Sequence, residues 1–186
     1  MLRRLSMGLM ALAVVGPVGA SAQMGGHAEG MKSFHAEQVN DVRTIGEKFV
    51  ALAEAFSQEQ YDWRPMAEVR SVGDVMALMV SEFYVFPTVW GVDTPEGIPG
   101  DFGGAMGRFS AMSKTEIVAE MGKAAAHAAA SVEGLSENDR MMMTTWFGTE
   151  VTRAVALSKA LGDMHEHLGQ AIAYARTNHI VPPWSN

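Results

Sequence analysis

The residues of this chain with the clearest capacity for chemistry lie near its C-terminus, in a run of imidazoles and carboxylates. The run contains Asp163, His165, Glu166 and His167, and apolar side chains recur around it at helical spacing. On a helix, residues four apart lie on one face about a turn apart, so Asp163 and His167 can approach a single ligand. Carboxylate oxygens and imidazole nitrogens both bind divalent transition metals. The spacing therefore predicts a candidate metal-binding pair, Asp163 and His167, on one helix.

Two distant segments of the sequence resemble the same known family. The first is Tyr-Asp-Trp-Arg-Pro at 61–65, followed by Val-Arg-Ser-Val-Gly-Asp at 69–74. The second is His-Leu-Gly-Gln at 167–170, followed by an apolar-Ala-Tyr-x-Arg-x-Asn run and Ile-Val-Pro-Pro at 180–183. In this order they resemble the DinB-like superfamily, four-helix bundles that mostly bind metals. The resemblance covers nearly all of the chain after the N-terminal leader and implies an all-α four-helix bundle with one long crossover.

The resemblance also implies a metal site at which this sequence departs from the family pattern. Family members typically hold a divalent metal with three histidines, and the matching positions here are Leu78, Asp163 and His167. Aspartate can replace histidine as a ligand, but leucine has no lone pair to donate. Glu82, one turn beyond Leu78, and His165 are alternative third donors. The favoured interpretation places Glu82 at the edge of the bundle, because carboxylates are rarely buried unpaired. The site is therefore expected to be degenerate.

Three functions remain open on these residues. The favoured one is a binding or structural module that has lost the family's metal site and has no cofactor. The second is a metalloenzyme that binds zinc or nickel through Asp163, His167 and a third donor, and activates water as a hydrolase or a thiol as a thiol transferase. The third is a metal-free binder of a small molecule in a cavity between helices. Nothing in the sequence identifies a substrate, and a homodimer is an open alternative.

Composition and the N-terminal segment bound the class of protein. The chain has 186 residues, 48% hydrophobic and 19% charged, with no cysteine and a formal net charge of −7. These values suit one globular domain without disulfides, and an acidic chain is a poor candidate for nucleic-acid binding. Arg3 and Arg4 precede a short apolar run and an Ala-Ser-Ala cleavage site at 20–22, a pattern typical of a secretory signal peptide. We expect export to the periplasm or the medium, and no membrane span in the mature chain.

The remaining pattern predicts one bundle domain over 31–186, preceded by a flexible glycine-containing tail at 23–30. Apolar spacing predicts four helices: about 31–57, from Ser71, from Ser113, and from about Thr149 to Arg176. The crossover at 91–112 contains two prolines and six glycines, which predicts a long loop, either a lid over a pocket or a solvated connection. The methionines at 141–143 are expected to fill the core at one end of the bundle.

The leader pattern makes the first prediction. Cleavage after Ala22 should leave a mature chain that begins at or near Gln23. Intact-mass measurement of the exported protein would show this, and a mature chain that keeps residues 1–22 would contradict it.

Overall fold

Most of the chain is helical, and a β-hairpin connects the last two helices. The computed structural model describes the backbone of residues 21–185 and the side chains of residues 34–185. The predicted signal peptide therefore lies almost entirely outside the described residues. The helices are α1 (Ser21–Ala55), α2 (Val72–Val89), α3 (Phe102–Phe109), α4 (Lys114–Glu133), α5 (Glu137–Met141) and α6 (Arg153–Thr177). The hairpin consists of β1 (Met143–Trp146) and β2 (Thr149–Thr152), and the predicted all-α bundle class is confirmed by the four long helices α1, α2, α4 and α6.

Helix α1 begins at Ser21, before the start predicted at Met31. The backbone at 23–30 is helical, although its glycines predict a flexible tail. The predicted apolar stripe is present from Val42 onward, because the side chains at three- and four-residue spacing are buried, whereas Phe34, predicted to begin the stripe, is exposed. These buried residues are Val42, Ile45, Phe49, Leu52 and Phe56.

Helix α2 is the central element of the core. Ser71 and Asp74 form the predicted capping box at its start: the Ser71 hydroxyl accepts from the Asp74 N–H, and the Asp74 carboxylate accepts from the Ser71 N–H. Every residue from Val75 to Pro87 is buried, as its nearly continuous apolar sequence predicts. Length and composition would let α2 cross a membrane, but 78% of it is buried inside the protein, the state of a core helix.

The crossover between α2 and α4 is not the structureless loop that its glycines and prolines predict. It contains the eight-residue helix α3, whose start is capped by the Asp101 carboxylate accepting from the Gly104 N–H. Of its two phenylalanines, Phe109 is buried and its ring stacks on Tyr84 of α2 with centroids 5.8 Å apart, whereas Phe102 is exposed. One buried aromatic contact holds this helix where local propensity alone favours a loop.

The hairpin corrects two further predictions. Met141, Met142 and Met143 are exposed and do not fill the core, because the chain leaves α5 there in extended conformation. The tight turn at Phe147 and Gly148 has positive φ at both residues, as two-residue hairpin turns require. The hairpin takes up residues 149–152, so the last helix begins at Arg153 rather than Thr149.

Helix α6 presents the predicted apolar face to the core. Its N-cap is Thr152, whose hydroxyl accepts from the Val155 N–H. Seven apolar side chains recur at helical spacing on this face. Six of them are buried, and Ile172 is half-buried. The buried six are Leu157, Leu161, Met164, Leu168, Ala171 and Ala175. This face turns Asp163 and His167 toward α2.

Helices α1 and α4 approach each other closely at Gly46. A Cβ at this buried position would lie 2.7 Å from the Cβ of Ala125, closer than real side-chain contacts allow. The approach explains why the α4 stripe is rich in alanine, since small residues let two helices pack closely. Gly122, also on α4, has open space around its would-be Cβ.

We expect Gly46→Ala to lower the free energy of unfolding by about 1–2 kcal/mol, because overpacking outweighs a gain in helix propensity of about 1 kcal/mol. The matched control Gly122→Ala should raise it by about 0.5–1 kcal/mol, since only the propensity gain applies there. Chemical denaturation of both variants measures the difference. Equal stabilisation by the two substitutions would mean that α1 and α4 are not in contact at Gly46.

Candidate metal centre

Three potential metal ligands converge between α2 and α6. Glu82 comes from α2, and Asp163 and His167 come from successive turns of α6; their ligand atoms all lie within 4.8 Å of one another. His167 Nε2 is 3.4 Å from Glu82 Oε1 and 4.0 Å from Asp163 Oδ2. The four-residue spacing on α6 thus brings together the pair that the sequence predicts, and α2 supplies a third donor.

Glu82 corrects the sequence-based interpretation. It was expected at the edge of the bundle, yet it is 1% exposed and faces into the site. Its Oε2 atom has no hydrogen-bond partner among the described residues. A buried carboxylate oxygen without a partner costs free energy, so a residue kept in this state indicates a missing ligand, water or ion. The signal available in the sequence was a single carboxylate within an otherwise apolar helix.

Burial of Glu82 changes the protonation of the cluster. Desolvation raises the pKa of the Glu82 carboxyl to about 7, and the hydrogen bond with His167 opposes this only in part. In return, the hydrogen bond with Glu82 raises the pKa of the His167 imidazole above its ordinary value. The pair therefore retains a proton near neutral pH that a divalent cation would displace.

The other predicted candidates do not join the cluster. Leu78 is buried one turn before Glu82 on α2 and offers no donor atom. The His165 imidazole is bound by the Asp41 carboxylate on α1, with Nε2 3.0 Å from both carboxylate oxygens. This contact lies on the α1 side of the helix, and His165 is not part of the cluster.

The cluster has the donor types and separations that a divalent transition metal needs. Metal bonds of about 2.0–2.2 Å to imidazole nitrogen and carboxylate oxygen place donors that share an ion about 3–3.5 Å apart. The separations of 3.4 and 4.0 Å around His167 Nε2 approach these values, and the unpaired Glu82 Oε2 supplies unused acceptor capacity. The three residues therefore fit a metal, with Glu82 on the buried side and Asp163, 39% exposed in its side chain, on the solvent side.

Side chains beyond the cluster hold His167 in place. Its Nδ1 lies 3.3 Å from Gln170 Oε1, and Gln170 Nε2 donates to the Tyr174 hydroxyl at 2.9 Å. That hydroxyl donates to the Arg70 carbonyl at 3.0 Å. A ligand histidine usually bonds through its second ring nitrogen in this way, which fixes the orientation of the ring.

A family model described as the DinB superfamily matches residues 42–171, which is most of the chain and includes all three candidate ligands. The chain belongs to the DinB superfamily. This confirms the family that the two sequence segments predict. A search of curated proteins found no match to the chain.

Several solved structures share the fold. A DinB-like protein from Bacillus subtilis is 19% identical with a TM-score of 0.61, over 78% of this chain and 93% of that one. YfiT from Bacillus subtilis, described as a probable metal-dependent hydrolase with an unusual four-helix bundle topology, is 14% identical with a TM-score of 0.62, over 79% and 89%. A mycothiol-dependent maleylpyruvate isomerase is 12% identical with a TM-score of 0.59, over 72% and 59%. At these identities the likeness establishes the fold alone.

The buried carboxyl gives a pH-dependent prediction for the protein in chelator. A carboxyl whose pKa is raised on folding binds more protons folded than unfolded, so its contribution to stability falls as pH rises from its ordinary pKa toward about 7. Relative to wild type, Glu82→Gln should therefore gain on the order of 2 kcal/mol of unfolding free energy between about pH 5 and about pH 8.

Urea denaturation of both proteins across this range measures the change. The comparison between variants cancels the contributions of His35 and His127, whose pKa values burial lowers. The contribution of His167 does not cancel, because Glu82 raises its pKa, and the measured difference belongs to the Glu82–His167 pair. A difference between the two proteins that stays constant with pH would show that the Glu82 carboxyl is not desolvated on folding.

Proposed function

We propose that this protein is a divalent-metal-dependent hydrolase whose ligands are Glu82, Asp163 and His167. The observation that supports this most strongly is the buried Glu82 carboxylate, which faces two further donors and has one oxygen without a partner among the described residues. The protein would thus keep a metal site with a different third ligand, rather than having lost the site with the histidine that Leu78 replaces.

Each residue of the cluster would have a distinct role in such a site. Bound there, a divalent transition metal such as zinc would supply a Lewis acid that makes a water molecule nucleophilic near neutral pH. Glu82 Oε2, which no side chain or backbone group from residue 34 to 185 contacts by a hydrogen bond, could accept a proton from a water molecule in the site. Asp163 lies at the half-exposed side, from which substrate can enter. The hydrogen bond to Gln170 holds His167 with Nε2 toward the two carboxylates.

Similarity to YfiT supports hydrolysis over the other reactions open to the family. That protein is described as a probable metal-dependent hydrolase, and its fold covers most of both chains. The thiol-dependent isomerase, in contrast, matches over little more than half of its own length. The carboxylate-rich donor set is suited to a hard or borderline ion that activates water.

A metal titration tests the ligand set. Zinc added to tag-free wild-type protein should raise the free energy of unfolding, by about 2.7 kcal/mol when free metal is a hundred times Kd. Glu82→Gln should lose most of this stabilisation, because an amide is a weaker metal ligand than a carboxylate. His165→Gln is the matched control, since it removes an imidazole two residues from His167 that is bound to Asp41 instead.

Calorimetric titration and thermal melts with zinc, nickel and manganese(II) provide the readouts. Equal losses in Glu82→Gln and His165→Gln would contradict this ligand set, as would a wild type that is indifferent to all three ions. The same proteins, assayed on a panel of activated carboxylic and phosphate esters, separate binding from catalysis. Metal binding without metal-dependent turnover of any ester would contradict the hydrolase assignment alone.

A further inference from the structure

The outer edge of strand β1 has backbone groups that are free to pair. The Arg153 N–H donates to the Met142 carbonyl at 2.9 Å, and hydrogen-bonded pairs alternate along an antiparallel ladder. The N–H and C=O groups of Met143 and Thr145 therefore point away from β2. In the described part of the chain, neither N–H donates to another group, and both residues are exposed. Such an edge can accept a further strand.

The sequence of this edge contains nothing that opposes pairing. Residues 141–148 read Met-Met-Met-Thr-Thr-Trp-Phe-Gly, without a charged residue or a proline. Soluble proteins usually protect a free edge with such residues, because an uncharged hydrophobic edge pairs readily with another strand. The opposite edge of the hairpin, on β2, does carry a charge at Glu150. The β1 edge is therefore the one open to a partner.

Large apolar side chains surround the β1 edge. Met141, Met142 and Met143 are between 49% and 59% exposed, and Phe147 is 83% exposed. Phe147 also has a φ of 44°, a left-handed conformation that favours asparagine and strains a bulky residue. Its ring contacts Trp146, but burial within one copy does not explain an aromatic residue at this exposed position.

The free backbone groups distinguish between possible occupants of this surface. A lipid surface would cover the apolar side chains but would leave the outward N–H and C=O groups of Met143 and Thr145 without partners. An added β-strand covers the side chains and also bonds to these groups. The occupant is therefore expected to be a strand.

The backbone of β1 is complementary to a second copy of itself. A two-fold axis between two copies of Thr144 places Met143 of each copy opposite Thr145 of the other. The outward groups of each such pair can then exchange both hydrogen bonds, which is the closed, self-complementary arrangement of a two-fold interface.

The same register also matches the apolar side chains. It brings Phe147 of each copy near Met141 of the other, and Trp146 near Met142, and contacts between methionine sulfur and aromatic rings are favourable. At about 200 Å² for a side chain of this size, the three methionines and Phe147 expose roughly 500 Å² per copy. A standard interface buries about 800 Å² per partner, so this one is at the small end and should dissociate on dilution.

We propose that this protein forms a two-fold symmetric homodimer in which the β1 edges of two copies pair antiparallel, giving the strand order β2-β1-β1-β2. The interface contains none of the three candidate metal ligands. The dimer is therefore independent of the proposed function, and Glu82→Gln should dimerise as wild type does.

Sedimentation velocity of the tag-free protein over a range of concentrations tests the dimer. Thr145→Pro should raise its dissociation constant roughly 10-fold or more, because it removes an outward N–H and places a proline ring at the interface. The matched control is Glu150→Pro, which lies directly opposite Thr145 and removes an outward N–H from the other edge. Both variants lose the Thr145–Glu150 hydrogen bond, but the control should leave the dissociation constant unchanged.

Phe147→Asn separates dimerisation from folding. Asn-Gly is the most favourable pair for this hairpin turn, so the variant should keep the hairpin and the circular dichroism of wild type. It should nevertheless raise the dissociation constant roughly 10-fold, because it removes the most exposed aromatic side chain of the interface.

An introduced thiol tests the register, since the chain has no cysteine. Thr144→Cys should form an intermolecular disulfide in oxidised glutathione, because directly opposed residues of an antiparallel pair have Cβ atoms about 4.5–5.5 Å apart. Val151→Cys, at the position opposite Thr144 on β2, is the matched control and should not cross-link.

Four results would overturn the proposal. They are a protein that stays monomeric at every concentration, a dimer that both proline variants weaken equally, a dimer that Thr144→Cys does not cross-link, and a monomer that binds phosphatidylcholine vesicles through Phe147 instead. A dimer that is weakened by Thr145→Pro and Phe147→Asn, and cross-linked through position 144, would support it.

Discussion

The desolvated carboxylate of Glu82 is the constraint on which the rest of the site depends. An apolar helix at the centre of a bundle tolerates a carboxylate only if a proton, a positive charge or a metal compensates for the lost water. Here the compensation comes from α6, through His167 at 3.4 Å. The pKa values of Glu82 and His167 are both raised for this reason. Near neutral pH the pair therefore keeps a proton, which compensates for the buried carboxylate.

The bundle is arranged to hold this pair across the interface of α2 and α6. The capping box at Ser71 sets where α2 starts, and hence which turn carries Glu82. The two segments that resemble the family meet at Tyr174, whose ring contacts Trp63 and whose hydroxyl donates to Arg70. The resemblance is thus not confined to the candidate ligands. It includes a hydrogen-bonded support that links the start of α2 to the ring of His167 on α6.

On the proposed ligand set, the α2 donor lies one turn from Leu78, the position that the family resemblance implies for a histidine. Leu78 and Glu82 are four residues apart and therefore lie on one face of α2, about one turn from each other. A donor missing at position 78 can therefore be replaced by one at position 82, because the glutamate side chain is long enough to bring its carboxylate to the same cluster. On α6, Asp163 is a shorter side chain than the histidine that the family resemblance implies at this position. It is 39% exposed, so this side of the cluster is open to solvent.

The sequence by itself determined the family through two distant segments and the helical class through the apolar periodicity. It also determined the helix starts at Ser71 and Ser113 and the pairing of Asp163 with His167, because each of these depends on residues about one turn apart. It did not determine the burial of Glu82, since a helix buried on all sides has no periodic signal to show where a lone carboxylate points. The exposed methionines and the hairpin were missed because short local propensities are weak there. Only the tertiary structure decided that α2 supplies the third donor, because that depends on how two helices distant in the chain are packed together.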